Sequence, residues 1–300
     1  MSFVQRRDAA LPPWIPAIVA MFSAQFCSAL SIGLIDVIGP AGTAWLRLCM
    51  GALIFLALAR PPLKKVRRRD VAPLLGLGAA SGGMIVFYMA AIDRIPLGTA
   101  VAIEFLGPLI VAAVRSHNLR MIVWPLLALG GVVLLTEPWA GQVDLLGVGF
   151  AVLAGASWAS YILLTQQVGD RFTGLSGLSM TVPIAAVVTS VVGVPQAIGH
   201  LSWGIAAAAF GLALLAPVLL FALEMYAIRR MTATAFGTLM ALEPAFGLLL
   251  GLAVLHQVPS WLQVTGIVLV VLAAAGAQRG GTRTPPAVVE AKDPAVTPAG

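Results

Sequence analysis

Four charged residues stand inside long apolar stretches of this 300-residue sequence: Arg47, Glu104, Glu224 and Glu243. A charged side chain within a membrane-spanning segment costs about 2.5–3.5 kcal/mol on insertion scales, so such a residue usually faces a cavity or a partner. The carboxylates could bind an ammonium group or carry a proton, and the guanidinium could bind a carboxylate. These four residues are therefore the first candidates for a binding site.

Glu104 and Glu243 each stand close to a proline. Pro108 follows Glu104 by four residues, and Pro244 follows Glu243 directly. A proline inside a helix kinks it and frees the carbonyl group four residues earlier, which here belongs to Glu104 and to Met240. We predict two kinked helices that carry the two glutamates near the middle of the membrane. There the glutamates bind substrate or a proton, or else form structural hydrogen bonds between helices.

Arg47 and Glu224 each fit more than one role. Arg47 could receive a substrate carboxylate, pair with a buried glutamate or extend to the membrane surface. Glu224 lies about one turn before Arg229 and could line the inner entrance of a pocket or balance the charge of nearby arginines. Other polar residues in apolar runs could complete a pocket for a hydroxyl-bearing substrate, or form interhelical hydrogen bonds: Gln25, Tyr88, Trp158 and Tyr161.

Membrane helices must position these residues. The chain is 60% hydrophobic with a mean hydropathy of +0.98, and only 10% of its residues are charged, against about 25% in soluble domains. A run of about 20 apolar residues crosses a bilayer as a helix. We predict an all-α integral membrane protein with ten transmembrane helices at 13–35, 41–59, 71–92, 96–114, 119–136, 145–167, 175–196, 203–228, 232–254 and 259–277.

The basic residues orient these helices. If the N-terminus is cytoplasmic, every Lys and Arg except Arg47 and Arg94 falls on the cytoplasmic side, as the positive-inside rule requires. Residues 1–12 then form a cytoplasmic N-terminus. Residues 278–300 are rich in proline and glycine, which predicts a disordered cytoplasmic tail.

The sequence contains a weak internal repeat. An offset of 136 residues aligns 90–109 with 226–245, which pairs Arg94 with Arg230 and Pro108 with Pro244. Each copy, 13–136 and 145–277, holds five predicted helices, and an odd number requires the second copy to enter the membrane from the opposite side. Many secondary transporters consist of such inverted repeats, with the substrate site near the midplane between them.

Several stretches resemble a known family: AWLRLCMGALI (44–54), IPLGTAVAIEFLGPLIVA (95–112), GASWASYILLTQ (155–166) and LEMYAIRRMTATAFGTLMALEPA (223–245). They look like the drug/metabolite transporter superfamily with EamA-type repeats, and within it they most resemble the bacterial threonine/homoserine exporters. The resemblance implies ten helices, a place in the bacterial inner membrane and proton-driven export of small metabolites. Ile32 and Gln257 stand where family members often have a lysine and an acidic residue.

We therefore predict an exporter of small amino acids or related metabolites that works by proton-coupled alternating access, as a monomer or homodimer. Its partners would be a small-molecule substrate, the lipid bilayer and a proton, with no nucleic acid. One alternative is export of apolar or cationic drugs or aromatic metabolites, through a pocket built from Phe87, Phe105, Trp158 and Phe246.

The other alternative is an integral-membrane enzyme or scaffold without transport activity. No Ser, His and Asp cluster at one depth, and no nucleotide-binding motif is present, so the sequence does not favour an enzyme. His117, His200 and His256 lie at predicted loop ends without a Glu or Cys at ligand spacing. We therefore predict neither a metal nor another cofactor.

Overall fold

A computed structural model describes residues 14–59, 66–115, 119–140, 144–168, 174–228 and 233–280, together with residues 12, 61, 64, 230 and 231. The predicted N-terminal segment 1–12, apart from residue 12, and the predicted tail beyond residue 280 lie outside the described residues. The described part is helical and contains no strand.

Eight helical segments of this part are long and apolar enough to cross a membrane, and Trp261–Ala277 is a shorter apolar helix. The prediction of an all-helical membrane protein is therefore confirmed. Short 3₁₀ helices lie at Leu119–Ile122 and Pro138–Ala140, and a π-helix at Leu214–Leu219. The α-helices are α1 (Trp14–Leu58), α2 (Arg68–Ile92), α3 (Leu97–Glu104), α4 (Leu106–Arg115), α5 (Val123–Thr136), α6 (Leu145–Val168), α7 (Gly174–Ala197), α8 (Trp203–Ala213), α9 (Leu220–Ile228), α10 (Ala233–Met240), α11 (Glu243–Leu255) and α12 (Trp261–Gly280).

Helix α1 contains the predicted spans 13–35 and 41–59 and reverses direction between them. Its backbone leaves the helical conformation at Gly39, which has φ +72° and ψ 165°. Arg47 donates a hydrogen bond to Ser31, 16 residues earlier, at 3.1 Å. Sixteen residues of continuous helix would separate these positions by about 24 Å, so the two arms of α1 run antiparallel. Gly39 suits the reversal because a positive φ favours glycine.

The sequence predicts a proline-kinked helix around Glu104 and around Glu243, and the regular helical hydrogen bonding is interrupted next to both residues. Glu104 is the last residue of α3 and Glu243 the first of α11, while the neighbouring residues 105 and 242 keep helical backbone angles. Each interruption begins three residues before a proline, at residue 105 before Pro108 and at residue 241 before Pro244. The cause is the missing N–H of proline and its clash with the preceding turn.

The offset of 136 residues also relates the bounds of the helices. Adding it to Leu97–Glu104 gives the bounds of Ala233–Met240, and adding it to Arg68–Ile92 gives 204–228, which α8, the π-helix and α9 cover. The second segment carries a break that the sequence reading did not predict. Ala216, before Pro217, has the extended conformation φ −149°, ψ 119°. Ser23 and Cys27 of α1 donate to the carbonyls of Leu215 and Leu212 at 3.0 and 3.3 Å, which satisfies backbone groups that lipid could not.

The helices pack backbone to backbone at several glycines. Gly107 of α4 lies directly against Gly155 of α6, and a methyl group added to Gly107 would overlap the Gly155 carbonyl group. The Gly155 position in turn faces the carbonyl oxygen of Glu104. Small residues allow this close approach in membrane helices. This contact therefore fixes α6 against the helix break that positions Glu104.

We expect Gly107→Ala to destabilise the protein, because the new methyl group meets backbone atoms that cannot rotate away. Overpacking of this kind costs about 1–3 kcal/mol, so the midpoint of thermal unfolding in detergent should fall. Gly130→Ala is the matched control, since nothing lies within 4 Å of the added carbon there. Equal unfolding midpoints for Gly107→Ala and the wild type would contradict the close contact.

Candidate functional site

One cavity of about 320 Å³ lies between the two halves of the chain. It is lined from α1, α2, α3, α6, α7, α9, α10, α11 and the π-helix. All four charged candidates and all four polar candidates from the sequence reading line it, namely Arg47, Glu104, Glu224, Glu243, Gln25, Tyr88, Trp158 and Tyr161. Residues separated by more than 200 positions in the chain therefore meet in one place.

The two proline-associated glutamates both line this cavity and differ in burial. Glu104 is 9% exposed, whereas Glu243 is half-buried. Burying a charged carboxylate is costly unless a cation or hydrogen-bond donors satisfy it. A permanent negative charge is therefore less favourable at Glu104 than at Glu243.

A hydrogen-bonded chain joins Glu243 to two polar residues. The Gln25 amide donates to Glu243 Oε1 at 3.2 Å, and the Tyr88 hydroxyl donates to Gln25 Oε1 at 3.2 Å. The second carboxylate oxygen, Glu243 Oε2, is buried and has no hydrogen-bond partner among the described residues. A cation or a proton could satisfy this oxygen.

Among the described residues that line the cavity, Arg47 is the one with a positive charge. It is half-buried and donates to the Ser31 hydroxyl at 3.1 Å and toward the Met89 sulfur at 3.5 Å. Its Nε atom is buried without a partner in the described structure. The ion pairs found among the described residues do not include Arg47. The structure therefore shows no ion pair between Arg47 and a glutamate among the described residues, which was one of the predicted roles.

Glu224, Trp158 and Tyr161 line the same cavity. Glu224 is half-buried. Arg229, whose charge Glu224 was predicted to balance, lies outside the described residues. The indole of Trp158 meets the ring of Phe105 edge to face, with centroids 5.5 Å apart.

The aromatic pocket of the alternative prediction does not assemble. Of its four members only Trp158 is found in the lining of the cavity. Phe87 instead stacks on Phe150, with ring centroids 6.4 Å apart. The apolar part of the lining consists mainly of aliphatic and methionine side chains.

Polar contacts join helix ends away from the cavity. Gln196 Oε1 accepts the N–H groups of Ala41 and Gly42 at 2.9 and 3.2 Å, and Gln257 Oε1 accepts the N–H of Leu97 at 3.0 Å. Both glutamine side chains thus cap the start of a helical segment. The sequence reading did not identify Gln196, because a cap supplied by a distant residue has no local pattern.

An exposed ion pair and a hydrogen bond join two further pairs of loops. Arg94 lies 3.2 Å from Asp144, and the Ser260 hydroxyl donates to Glu137. The N–H of Gly147 also donates to Asp144 at 2.9 Å. The Gly147 hydrogen bond, together with the Arg94 guanidinium, holds the pKa of the Asp144 carboxyl below its ordinary value.

The sequence reading also missed two serines that line the cavity, Ser28 and Ser81. Both are polar residues within apolar runs, and the same pattern identified Gln25 as a candidate. In the described part of the chain no group of three or more His, Cys, Asp or Glu side chains is placed to hold a metal ion.

Comparison with known proteins identifies relatives that match most of the chain. The EamA-like transporter family matches residues 145–277. The threonine/homoserine exporter RhtA of Salmonella typhimurium is 35% identical over 274 residues, which cover 89% of this chain and 92% of the exporter. RhtA of Escherichia coli strain K12 is 34% identical over 280 residues, with the same coverage. A crystal structure of a protein at 15% identity superposes with a TM-score of 0.57 over 88% of this chain and 98% of its own length, which indicates a shared fold.

Proposed function

The chain belongs to the EamA-like transporter family and is a membrane exporter, and we propose that it exports small amino acids of the threonine and homoserine type. The proposed site is the cavity between the halves, and the proposed driving force is the proton gradient across the bacterial inner membrane. The observation that carries the proposal is that one guanidinium and three carboxylates line the same cavity, and that Arg47 Nε and Glu243 Oε2 are buried without a partner among the described residues.

The proposed architecture is ten spans in two inverted repeats, with both termini cytoplasmic. Three observations support it: α1 consists of two antiparallel arms, helix bounds recur at the offset of 136 residues, and Trp261–Ala277 is apolar. Counting the arms of α1 separately and including Trp261–Ala277 gives ten.

The charges of the cavity suit a zwitterion. An α-amino acid carries an ammonium and a carboxylate on one carbon atom. In the proposed binding mode Arg47 receives the carboxylate and Glu243 Oε2 receives the ammonium. Glu104 carries the coupled proton, because it is the most buried of the three carboxylates and burial disfavours a permanent negative charge.

The proposed cycle is alternating access, and we propose that this conformation is the one that opens to the cytoplasm. Tyr161, Leu178 and Glu224 line the cavity close to helix ends that the positive-inside rule assigns to the cytoplasm. The capping contacts of Gln196 and Gln257 lie at the opposite ends. Export would require these contacts to open while the cytoplasmic ends close.

Purified protein in liposomes tests the proposal. Liposomes loaded with labelled threonine should release it faster when the outside is made acidic, because protons moving inward drive the amino acid outward in either orientation of the protein. A protonophore should abolish the acceleration, and protein-free liposomes should show none. An equal rate of threonine release with and without the pH gradient would contradict proton coupling. If an aromatic dye but not threonine were transported, the drug-export alternative would be correct.

A further inference from the structure

Gln25 links three helices through a single buried side chain. It lies on α1 and is 3% exposed. Its amide nitrogen donates to Glu243 Oε1 of α11, and its amide oxygen accepts from the Tyr88 hydroxyl of α2, both at 3.2 Å. Each end of the amide therefore has a partner, and the amide cannot rotate without breaking both hydrogen bonds.

This arrangement makes the two oxygens of Glu243 different. Oε1 accepts the hydrogen bond from Gln25, while Oε2 is buried with no donor among the described residues. A buried polar atom without a partner is unfavourable, so a ligand cation gains most by binding Oε2. The orientation of the carboxylate plane depends on Gln25, and the orientation of Gln25 depends on Tyr88.

Orientation matters here because the cavity offers more than one carboxylate. Glu104 of α3 and Glu224 of α9 also line it. A free ammonium group could approach any of the three. A carboxylate whose orientation is already held by a hydrogen bond loses less side-chain freedom on binding and so competes better.

We infer that Gln25 and Tyr88 are positioning residues that orient Glu243 Oε2 toward the ammonium group of the substrate. This inference rests on the proposed function and extends it to two residues that act through Glu243. It also replaces the prediction that these side chains recognise a substrate hydroxyl, because the amide of Gln25 and the hydroxyl of Tyr88 are engaged with each other. Selectivity for amino acids over matched hydroxy acids then depends on this chain of hydrogen bonds.

The test measures binding of two ligands to the full-length protein in detergent by calorimetry: threonine, and 2,3-dihydroxybutanoate, in which a hydroxyl replaces the ammonium group. Tyr88→Phe and Gln25→Leu each remove one link and keep similar volume. We expect the Kd for threonine to rise about tenfold in each variant, the effect of losing one hydrogen bond in a charged network. The Kd for the hydroxy acid should stay unchanged.

Ser23→Ala is the matched control, because Ser23 lies two residues before Gln25 on α1, is not among the residues that line the cavity and donates its hydrogen bond to the Leu215 carbonyl, not to Gln25, Tyr88 or Glu243. It should leave the Kd of both ligands unchanged. Equal weakening of both ligands by Tyr88→Phe and Gln25→Leu would indicate a general structural role and overturn the inference.

A double-mutant comparison separates this inference from the proposed function. In a protein that already carries Glu243→Gln, adding Gln25→Leu should cause no further loss of threonine affinity, since residues that act through one partner are not additive. A further tenfold loss would overturn the inference. If Glu243→Gln itself binds threonine like the wild type, the proposed function is wrong. If Glu243→Gln is weakened while Gln25→Leu and Tyr88→Phe are not, only the positioning role is wrong.

Discussion

Glu104→Gln should abolish export driven by a pH gradient and leave the exchange of amino acid across the membrane intact. Glutamine has nearly the same shape as glutamate but cannot take up and release a proton. Net proton-driven export requires a group that changes its protonation during the cycle. Exchange of one amino acid for another moves no net proton, so it needs only the binding groups. Loss of the first activity with retention of the second would identify the proton carrier.

Both activities can be measured in the same liposomes, with labelled threonine inside and either an acidic or a threonine-containing solution outside. We expect the acid-driven release of Glu104→Gln to fall to the level of protein-free liposomes. Asp36→Asn is the control, because it removes an exposed carboxylate from α1 away from the cavity, and it should behave like the wild type. Acid-driven release at the wild-type rate in Glu104→Gln would contradict the assignment.

Glu243→Gln differs from Glu104→Gln in what it removes. Its carboxylate is the proposed ligand of the ammonium group, so its loss should weaken binding and reduce exchange as well as acid-driven release. The two variants therefore separate a proton carrier from a substrate ligand, although both remove one carboxylate from the same cavity.

Much of the fold followed from the sequence because the bilayer imposes simple rules. Apolar runs of sufficient length had to be helices, since lipid offers no partner for exposed backbone groups. Trp139, Trp203 and Trp261 lie in short helical turns or at helix starts and are 59%, 93% and 87% exposed, as expected for residues at a membrane surface. The repeat and the proline positions also indicated where helices break.

The extent of each break was not predictable from one sequence. Pro108, Pro244 and Pro217 lie in similar apolar surroundings, yet the first two separate short helices and the third lies in a π-helix with an extended residue before it. What differs is the partner of the freed backbone groups. Near Pro217, the side chains of Ser23 and Cys27 on α1 donate hydrogen bonds to backbone carbonyls. Tertiary packing brings these side chains close to the break.

The sequence could indicate which side chains gather in one cavity, whereas the hydrogen bonds between them could not be predicted. Exposing charged and polar side chains to lipid is costly, so Arg47, Glu104 and Glu243 were expected to face a common cavity inside the bundle. Which side chain bonds to which depends on distances of a few tenths of an ångström. The sequence could not show that Gln25 would bond to Glu243 and Tyr88, or that Gln257 would cap α3.

Arg47→Gln should weaken the binding of threonine by about 30-fold or more. Removing one member of a buried, hydrogen-bonded charge pair costs about 2–5 kcal/mol, and 2 kcal/mol corresponds to about a factor of 30. In the proposed complex the substrate carboxylate is the anion that pairs with Arg47, because the described residues leave its Nε atom without a partner. Arg47→Lys should recover only part of the affinity, since an ammonium group lacks the two-pronged geometry of the guanidinium.

A ligand without a carboxylate distinguishes this role from a structural one. 1-Aminopropan-2-ol is threonine without its carboxylate, and its binding should be no weaker in Arg47→Gln than in the wild type. Arg94→Gln is the matched control, because Arg94 forms an exposed ion pair with Asp144, and exposed pairs contribute little. If both ligands bound Arg47→Gln with equally reduced affinity, Arg47 would be holding the helices together. If threonine affinity were unchanged, the carboxylate would have to bind elsewhere. Selective loss of threonine binding would place the carboxylate at Arg47, so that the second arm of α1 and the start of α11 hold the two ends of the substrate.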